Sequence, residues 1–161
     1  MKTIILVRHA KSTWDYLVDD VDRPLAESGI KDAYLVAQRF HLQSTKTDAV
    51  YSSPAARALM TSMIFMRVLN FSYTSFSVAE ALYDFSGERV RHFVKNLDNT
   101  KNTVMLFGHN HAFTELANLW GNTPIENVST AGLVQINFEV DHWKSIGQGS
   151  TTTTLFPKQL R

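Results

Sequence analysis

Three apolar runs in this chain each stop at residues suited to holding an anion. Thr3-Ile4-Ile5-Leu6-Val7 runs into Arg8-His9. Ala49-Val50-Tyr51 runs into Ser52-Ser53-Pro54-Ala55-Ala56-Arg57. Thr103-Val104-Met105-Leu106-Phe107 runs into Gly108-His109-Asn110. Short apolar runs bounded by turn residues read as buried strands, and a strand buried on both faces belongs to a parallel sheet covered by helices. The ligand-binding edge of such a sheet is the one where its strands end. If the three runs are parallel neighbours, two histidines and two arginines gather at one edge. That makes a pocket for a dianionic phosphoryl group, with a nitrogen nucleophile inside it.

The segments between the runs support this layout. Ser28 is a candidate cap for a helix through about Phe40, with Ala33, Val36, Ala37 and Phe40 on one face. Pro54 suits a helix start, and Ala55–Leu69 carries Leu59, Met63, Met66 and Leu69 at helical spacing. Ser75–Val78 reads as a short strand and Gly87–Leu97 as a helix with Val90, Phe93, Val94 and Leu97 inward. A further helix is expected from Ala112 to Trp120, stopped by Gly121-Asn122. Gly132–Val140 contains an alternating strand, and Ser145–Phe156 a final edge strand. Asp15–Pro24 is acidic, lacks periodicity and reads as a surface loop. The expected fold is a three-layer α/β/α sandwich with a mainly parallel central sheet, in one domain over residues 1–161.

Composition removes several function classes. The chain has 161 residues, 44% of them hydrophobic, and a formal charge of +1. A mainly electrostatic nucleic-acid binder would carry a basic excess. There is no cysteine, which excludes disulfides, thiolate metal sites and cysteine-nucleophile mechanisms. No stretch approaches the roughly 18 apolar residues of a membrane span, and Arg8 interrupts the first apolar run too early for a signal peptide. The expected location is cytoplasmic. A Gly-x-x-x-x-Gly-Lys-Ser/Thr loop, a Gly-x-Gly-x-x-Gly loop and a Gly-x-Ser-x-Gly elbow are all absent. Asp19, Asp20 and Asp22 follow no buried strand, which argues against an aspartyl-phosphate mechanism.

Four motifs in order now become specific: Arg8-His9-Ala10-Lys11-Ser12, Asp22-Arg23-Pro24-Leu25, Ser52-Ser53-Pro54-Ala55-Ala56-Arg57-Ala58 and Gly108-His109-Asn110. Together they resemble the histidine phosphatase superfamily, with its phosphoglycerate mutase-like fold. The short chain, with no large insertion between the second and third motifs, resembles the SixA-type phosphohistidine phosphatase branch. The resemblance implies that His9 is the nucleophile and carries the phosphoryl group until water removes it. It implies that Arg8 and Arg57 hold the non-bridging oxygens, a task for which a permanently charged, fork-shaped guanidinium is suited. It implies that His109, as imidazolium, donates a hydrogen bond to the transferring group. Ser12 is either a further phosphate donor or a turn hydroxyl. No metal or other cofactor is required, because cationic side chains do the neutralising. The expected partner is a phosphorylated substrate, in particular a phosphohistidine-bearing protein, with no nucleic acid and no membrane; the oligomeric state is not readable.

One departure stands out. Members of this branch often have proline after Gly-His-Asn, and here His111 follows. It reads as the cap or start of the next helix; a metal pair with His109 is the competing reading, without a carboxylate cluster to complete it. His41, His92 and His142 read as surface or structural. Breaking a P–O bond to an alkoxide needs a positioned acid, worth roughly 10²–10⁴-fold. Superfamily phosphomonoesterases take one from the segment between the second and third strand motifs, where this chain offers Glu80, Asp84 and Glu88. Glu80 is the foremost candidate, against a reading in which it ends a strand and the others cap or flank a helix. A phosphoramidate needs such an acid less, because its imidazole can depart already protonated. The competing functions are a small-molecule phosphomonoesterase, a phosphate-binding module without turnover, and a metal-dependent hydrolase using His109 and His111.

Overall fold

The computed structural model describes all 161 residues. Six strands form one sheet: β1 (Lys2–Arg8), β2 (Ala49–Ser52), β3 (Phe76–Val78), β4 (Thr103–Gly108), β5 (Leu133–Phe138) and β6 (Ser150–Leu155). Their spatial order is β3-β2-β4-β1-β5-β6. The β1–β4, β4–β2 and β2–β3 pairs are parallel, while β5 runs antiparallel to both β1 and β6. The sheet is therefore mainly parallel, as expected, with β5 alone reversed.

Five helices cover it: α1 (Glu27–His41), α2 (Ala56–Val68), α3 (Glu88–Lys95), α4 (Ala112–Trp120) and α5 (Pro157–Leu160). Successive strand side chains point to opposite faces, and the two central strands sort accordingly. Ile5 and Val7 of β1 and Met105 and Phe107 of β4 pack with Val36, Phe40 and Phe65 of α1 and α2. Ile4, Leu6, Val104 and Leu106 pack with Val94 of α3 and Phe113, Leu116 and Trp120 of α4. Two apolar cores on either side of one sheet make the three-layer α/β/α sandwich. No helix is long and apolar enough to cross a membrane.

The structure corrects several local expectations. Ser28 does not cap α1. The capping position is Ala26, which makes no side-chain cap and whose N–H is instead tied to the Lys11 carbonyl. This start is fixed by a close approach: a Cβ on Gly29 would collide with that same carbonyl. Pro54 lies just ahead of α2, whose cap is Ala55. The short α5 and the 3-10 turn at Asp20–Asp22 were not legible as elements.

Candidate active site

Strands β1, β2 and β4 end level with one another. Arg8 pairs in register with Gly108, and Ser52 with Phe107. The next residue of each strand enters the same region, so His9, Ser53 and His109 meet at one edge. The His9 N–H donates to the Gly108 carbonyl at 3.0 Å and the Ser53 N–H to the Phe107 carbonyl at 2.9 Å. A glycine is needed at 108 because a Cβ there would stand 2.7 Å from the Phe113 ring. The α2 residue Thr61 accepts from the Ala10 N–H at 3.0 Å and donates to the Arg57 carbonyl at 2.7 Å. One hydroxyl thus joins the His9 loop to the first turn of α2, which carries Arg57.

His9 is 8% exposed and His109 1% exposed, with ring centroids 5.2 Å apart. The Nδ1 of His9 lies 2.7 Å from the Ala10 carbonyl oxygen. A carbonyl only accepts, so Nδ1 carries the hydrogen and Nε2 keeps its lone pair. Arg57 Nε donates to that Nε2 at 3.4 Å. His109 Nε2 stands 2.8 Å from Ser53 Oγ, while its Nδ1 is buried without a partner. Arg8 donates through Nη1 to the Val128 carbonyl at 3.0 Å, and its Nε is also buried without a partner. Buried polar atoms without partners are rare in native interiors. Here two of them belong to Arg8, next to His9 in the chain, and to His109, whose ring packs on His9.

Electrostatics corrects one expectation. Burial, then His9, then Arg57 push His109 down to about 3, so the free protein holds it as neutral imidazole and not as imidazolium. Burial pushes His9 down to about 4, opposed by its hydrogen bond to Ala10 and reinforced by Arg57, Arg8 and Arg23. Both folded values lie below the ordinary 6.5. Between about pH 4 and 6.5 the unfolded chain therefore binds more protons, and stability falls as pH falls through that window. Thermal unfolding followed from pH 7 to pH 4 should show a declining Tm, with a shallower decline in His109→Gln. An equal slope in the variant would show that this imidazole does not drive the loss.

The structure also shows site residues that sequence reasoning missed. Asp20, inside the loop read as plain surface, accepts from Arg57 Nη2 at 3.0 Å and from the Tyr83 hydroxyl at 2.6 Å, both at Oδ2. Its Oδ1 accepts from Arg23 Nε at 3.2 Å, and its backbone carbonyl accepts from Arg57 Nη1 at 2.7 Å. Burial raises the Asp20 carboxyl, but hydrogen bonds from Tyr83, Arg57 and Arg23, with the Arg57 charge, outweigh it and hold it down to about 2. The signal was available in charge balance: a buried arginine needs a counter-charge, and this acidic loop precedes Arg23-Pro24 in the second motif. Arg23 Nη1 donates to Ser12 Oγ at 2.6 Å, and its guanidinium stacks 3.6 Å over the Trp14 ring. Ser12 Oγ is thus an acceptor for Arg23. Tyr83 and Phe85 pack on His109, with centroids 5.4 and 5.1 Å away.

The three acid candidates separate clearly. Asp84 is consumed: its carboxylate accepts from the N–H groups of Ser86, Gly87, Arg89 and Val90 and caps α3. Glu88 is exposed in the first turn of that helix. Glu80 follows β3 at the strand-end edge, exposed, with no hydrogen bond to its carboxylate. His111 is exposed at the N-cap of α4, and no three His, Asp or Glu side chains converge as a metal cage. Asn110 anchors the start of that helix, accepting from the Thr114 N–H at 3.0 Å. His41, His92 and His142 are exposed.

A nitrogen lone pair beside a buried arginine at the strand-end edge of an α/β sheet is an arrangement suited to holding an oxyanionic group. The chain belongs to the histidine phosphatase superfamily (branch 1), whose family model matches residues 4–86. It is 31% identical over 144 residues to an uncharacterized chloroplastic protein of Arabidopsis thaliana, a match covering 83% of this chain and 66% of the plant protein. The chain thus spans about two thirds of that relative's length. In fold it is similar to the protein histidine phosphatase SixA complexed with tungstate (TM-score 0.83, 22% identity, 99% of both chains). It is similar also to the putative phosphohistidine phosphatase SixA of Agrobacterium tumefaciens (TM-score 0.80, 22% identity, 97% of this chain and 98% of that one).

Proposed function

We propose that this protein is a metal-independent phosphatase acting through a phosphohistidine intermediate on His9, and that its substrate is phosphohistidine in a protein. The observation that carries the reading is the fixed tautomer of His9. Its Nδ1–H is spent on the Ala10 carbonyl, and its Nε2 lone pair stands beside Arg57. Depression of the imidazole to about 4 keeps that lone pair free at neutral pH, which is what a nucleophile requires. Arg57 and Arg8 would hold the non-bridging oxygens, with Arg8 Nε as the donor in need of a partner.

His109 fits its role as a neutral donor. Ser53 Oγ already accepts from the Ala55 N–H at 3.2 Å. If its own hydrogen goes to His109 Nε2, the imidazole hydrogen sits on Nδ1, the atom left without a partner. A bound phosphoryl dianion would offset the surrounding cations and raise the imidazole toward its charged form. Ser12 would act through the Arg23 side chain that holds it.

The substrate class follows from the leaving group. Of the three carboxyls considered, Asp84 is spent as a cap and Glu80 is exposed without a contact to fix it. A phosphoramidate does not need a fixed acid. Steady-state kinetics on a phosphohistidine peptide, a phosphoserine peptide, a phosphotyrosine peptide and a sugar phosphate should rank the first highest. Glu80→Gln should cost the phosphohistidine reaction less than about tenfold, well below the range of a working general acid. Efficient sugar-phosphate hydrolysis that collapses in Glu80→Gln would instead make the protein a small-molecule phosphomonoesterase. No turnover on the whole panel would leave a phosphate-binding module.

A further inference from the structure

The anion-binding floor of this site is cationic, but its rim carries a carboxylate. Arg57 is 2% exposed, whereas the Asp20 side chain is 42% exposed. Arg57 thus links the buried His9 to a carboxylate that reaches solvent. Arg57 Nε faces His9 Nε2 at 3.4 Å, and its Nη2 faces Asp20 Oδ2 at 3.0 Å. The carboxylate thus lies one guanidinium away from the attacking nitrogen, with part of its surface open to solvent. It is held there from three directions, by Arg57, by Arg23 at 3.2 Å and by the Tyr83 hydroxyl at 2.6 Å. Tyr83 in turn stacks edge-on against His109. A negative charge fixed beside an anion site weakens binding of anions in general. Its presence makes physical sense if the group that carries the phosphoryl is not itself an anion.

We infer that Asp20 is a specificity-determining residue, selecting substrates whose phosphoryl group is borne on a cationic nitrogen and rejecting phosphoesters that carry a second anion. The inference rests on the phosphatase reading of His9 and names the charge class of its substrate. An imidazole phosphorylated on one ring nitrogen and protonated on the other bears a positive ring. When His9 Nε2 forms its bond to phosphorus, the P–N bond to the substrate breaks and its electron pair returns to the substrate nitrogen. That pair cancels the ring charge, and a neutral imidazole leaves with the proton it already had. Asp20 transfers no proton in this step. It favours the protonated ring as the substrate docks, so its effect should appear in KM more than in kcat. A carboxylate in the same place would meet like charge instead.

The test compares Asp20→Asn and Asp20→Glu with the native protein, after thermal unfolding has shown both to be folded. Two readouts are used. The first is kcat/KM for a phosphohistidine peptide relative to p-nitrophenyl phosphate. The second is competitive inhibition by 3-phosphoglycerate relative to glycerol 3-phosphate, which differ in a carboxylate against a hydroxymethyl group. Asp20→Asn should lower the first ratio about tenfold, as expected of one charge pair near a protein surface. It should raise the relative affinity for 3-phosphoglycerate by a similar factor, and Asp20→Glu should restore both toward native values. A uniform loss across all four compounds would mean that Asp20 only positions Arg57, and would overturn the proposal. If the native protein fails to cleave the phosphohistidine peptide yet cleaves phosphoesters, the phosphohistidine reading falls. The inhibition ratio still decides the role of Asp20, since unchanged discrimination in Asp20→Asn would refute it.

Discussion

His9→Ala should lower turnover by on the order of 10⁴-fold or more, the scale seen when a nucleophile is removed from a covalent mechanism. It should also abolish a labelled intermediate. Brief exposure of the native protein to a ³²P-labelled phosphohistidine peptide, followed by alkaline quenching, should trap label that is stable to base and lost in acid. That stability pattern is expected of a P–N bond and not of a serine ester or an aspartyl anhydride. Peptide mapping should place the label on His9. The variant should still fold, because the His9 ring contributes one local hydrogen bond, to the adjacent Ala10 carbonyl, and one long contact to Arg57. The acid limb of kcat/KM for the native protein should fall near pH 4, below the ordinary imidazole range, because that limb reports the free enzyme's groups and His9 is held down to about 4. Label on His109, or substantial activity in His9→Ala, would remove His9 from the role of nucleophile.

The strands and their polar endings were legible because they rest on local rules. An apolar run of buried-strand length ending at Arg8-His9 or Gly108-His109 states both the element and the edge at which it delivers its side chains. The α4 bounds match the expected Ala112–Trp120 residue for residue. What was not legible is held by contacts distant in sequence. Asp20 and Tyr83 are 63 residues apart, and Arg8 meets Val128 across 120; neither pair leaves a periodic trace. Asp84 was ambiguous for a different reason. A carboxylate ahead of a helix has the same composition whether it caps backbone N–H groups or donates a proton, and only the four N–H groups around it decide. The protonation state of His109 could not be read either, because a sequence names neighbours but not burial, and burial is the leading cause of its depression.

Replacing Arg57 tests the other half of the site. Each nitrogen of this guanidinium has a partner, Nε on His9, Nη1 on the Asp20 carbonyl and Nη2 on the Asp20 carboxylate, which leaves two of its five N–H groups for a phosphoryl oxygen. Arg57→Ala should cost roughly 3–5 kcal/mol of transition-state stabilisation in kcat/KM, the scale of losing a buried charged donor to the transferring group. The cost to folding should be smaller, about 1–3 kcal/mol, because the partner left behind, Asp20, is already 42% exposed and can be rehydrated in place. Catalysis should therefore fail in a protein that still unfolds cooperatively. Arg57→Lys is the sharper probe. It restores the charge but not the planar fork, so it cannot serve His9 Nε2 and both Asp20 oxygens together. If charge alone matters, lysine should recover most of the activity. If the fork orients phosphoryl oxygens against the His9 lone pair, lysine should recover binding of inorganic phosphate while kcat stays depressed. Retention of native kcat in Arg57→Ala, with phosphate affinity unchanged, would show that the guanidinium merely ties down the Asp20 loop and that Arg8 holds the transferring group by itself.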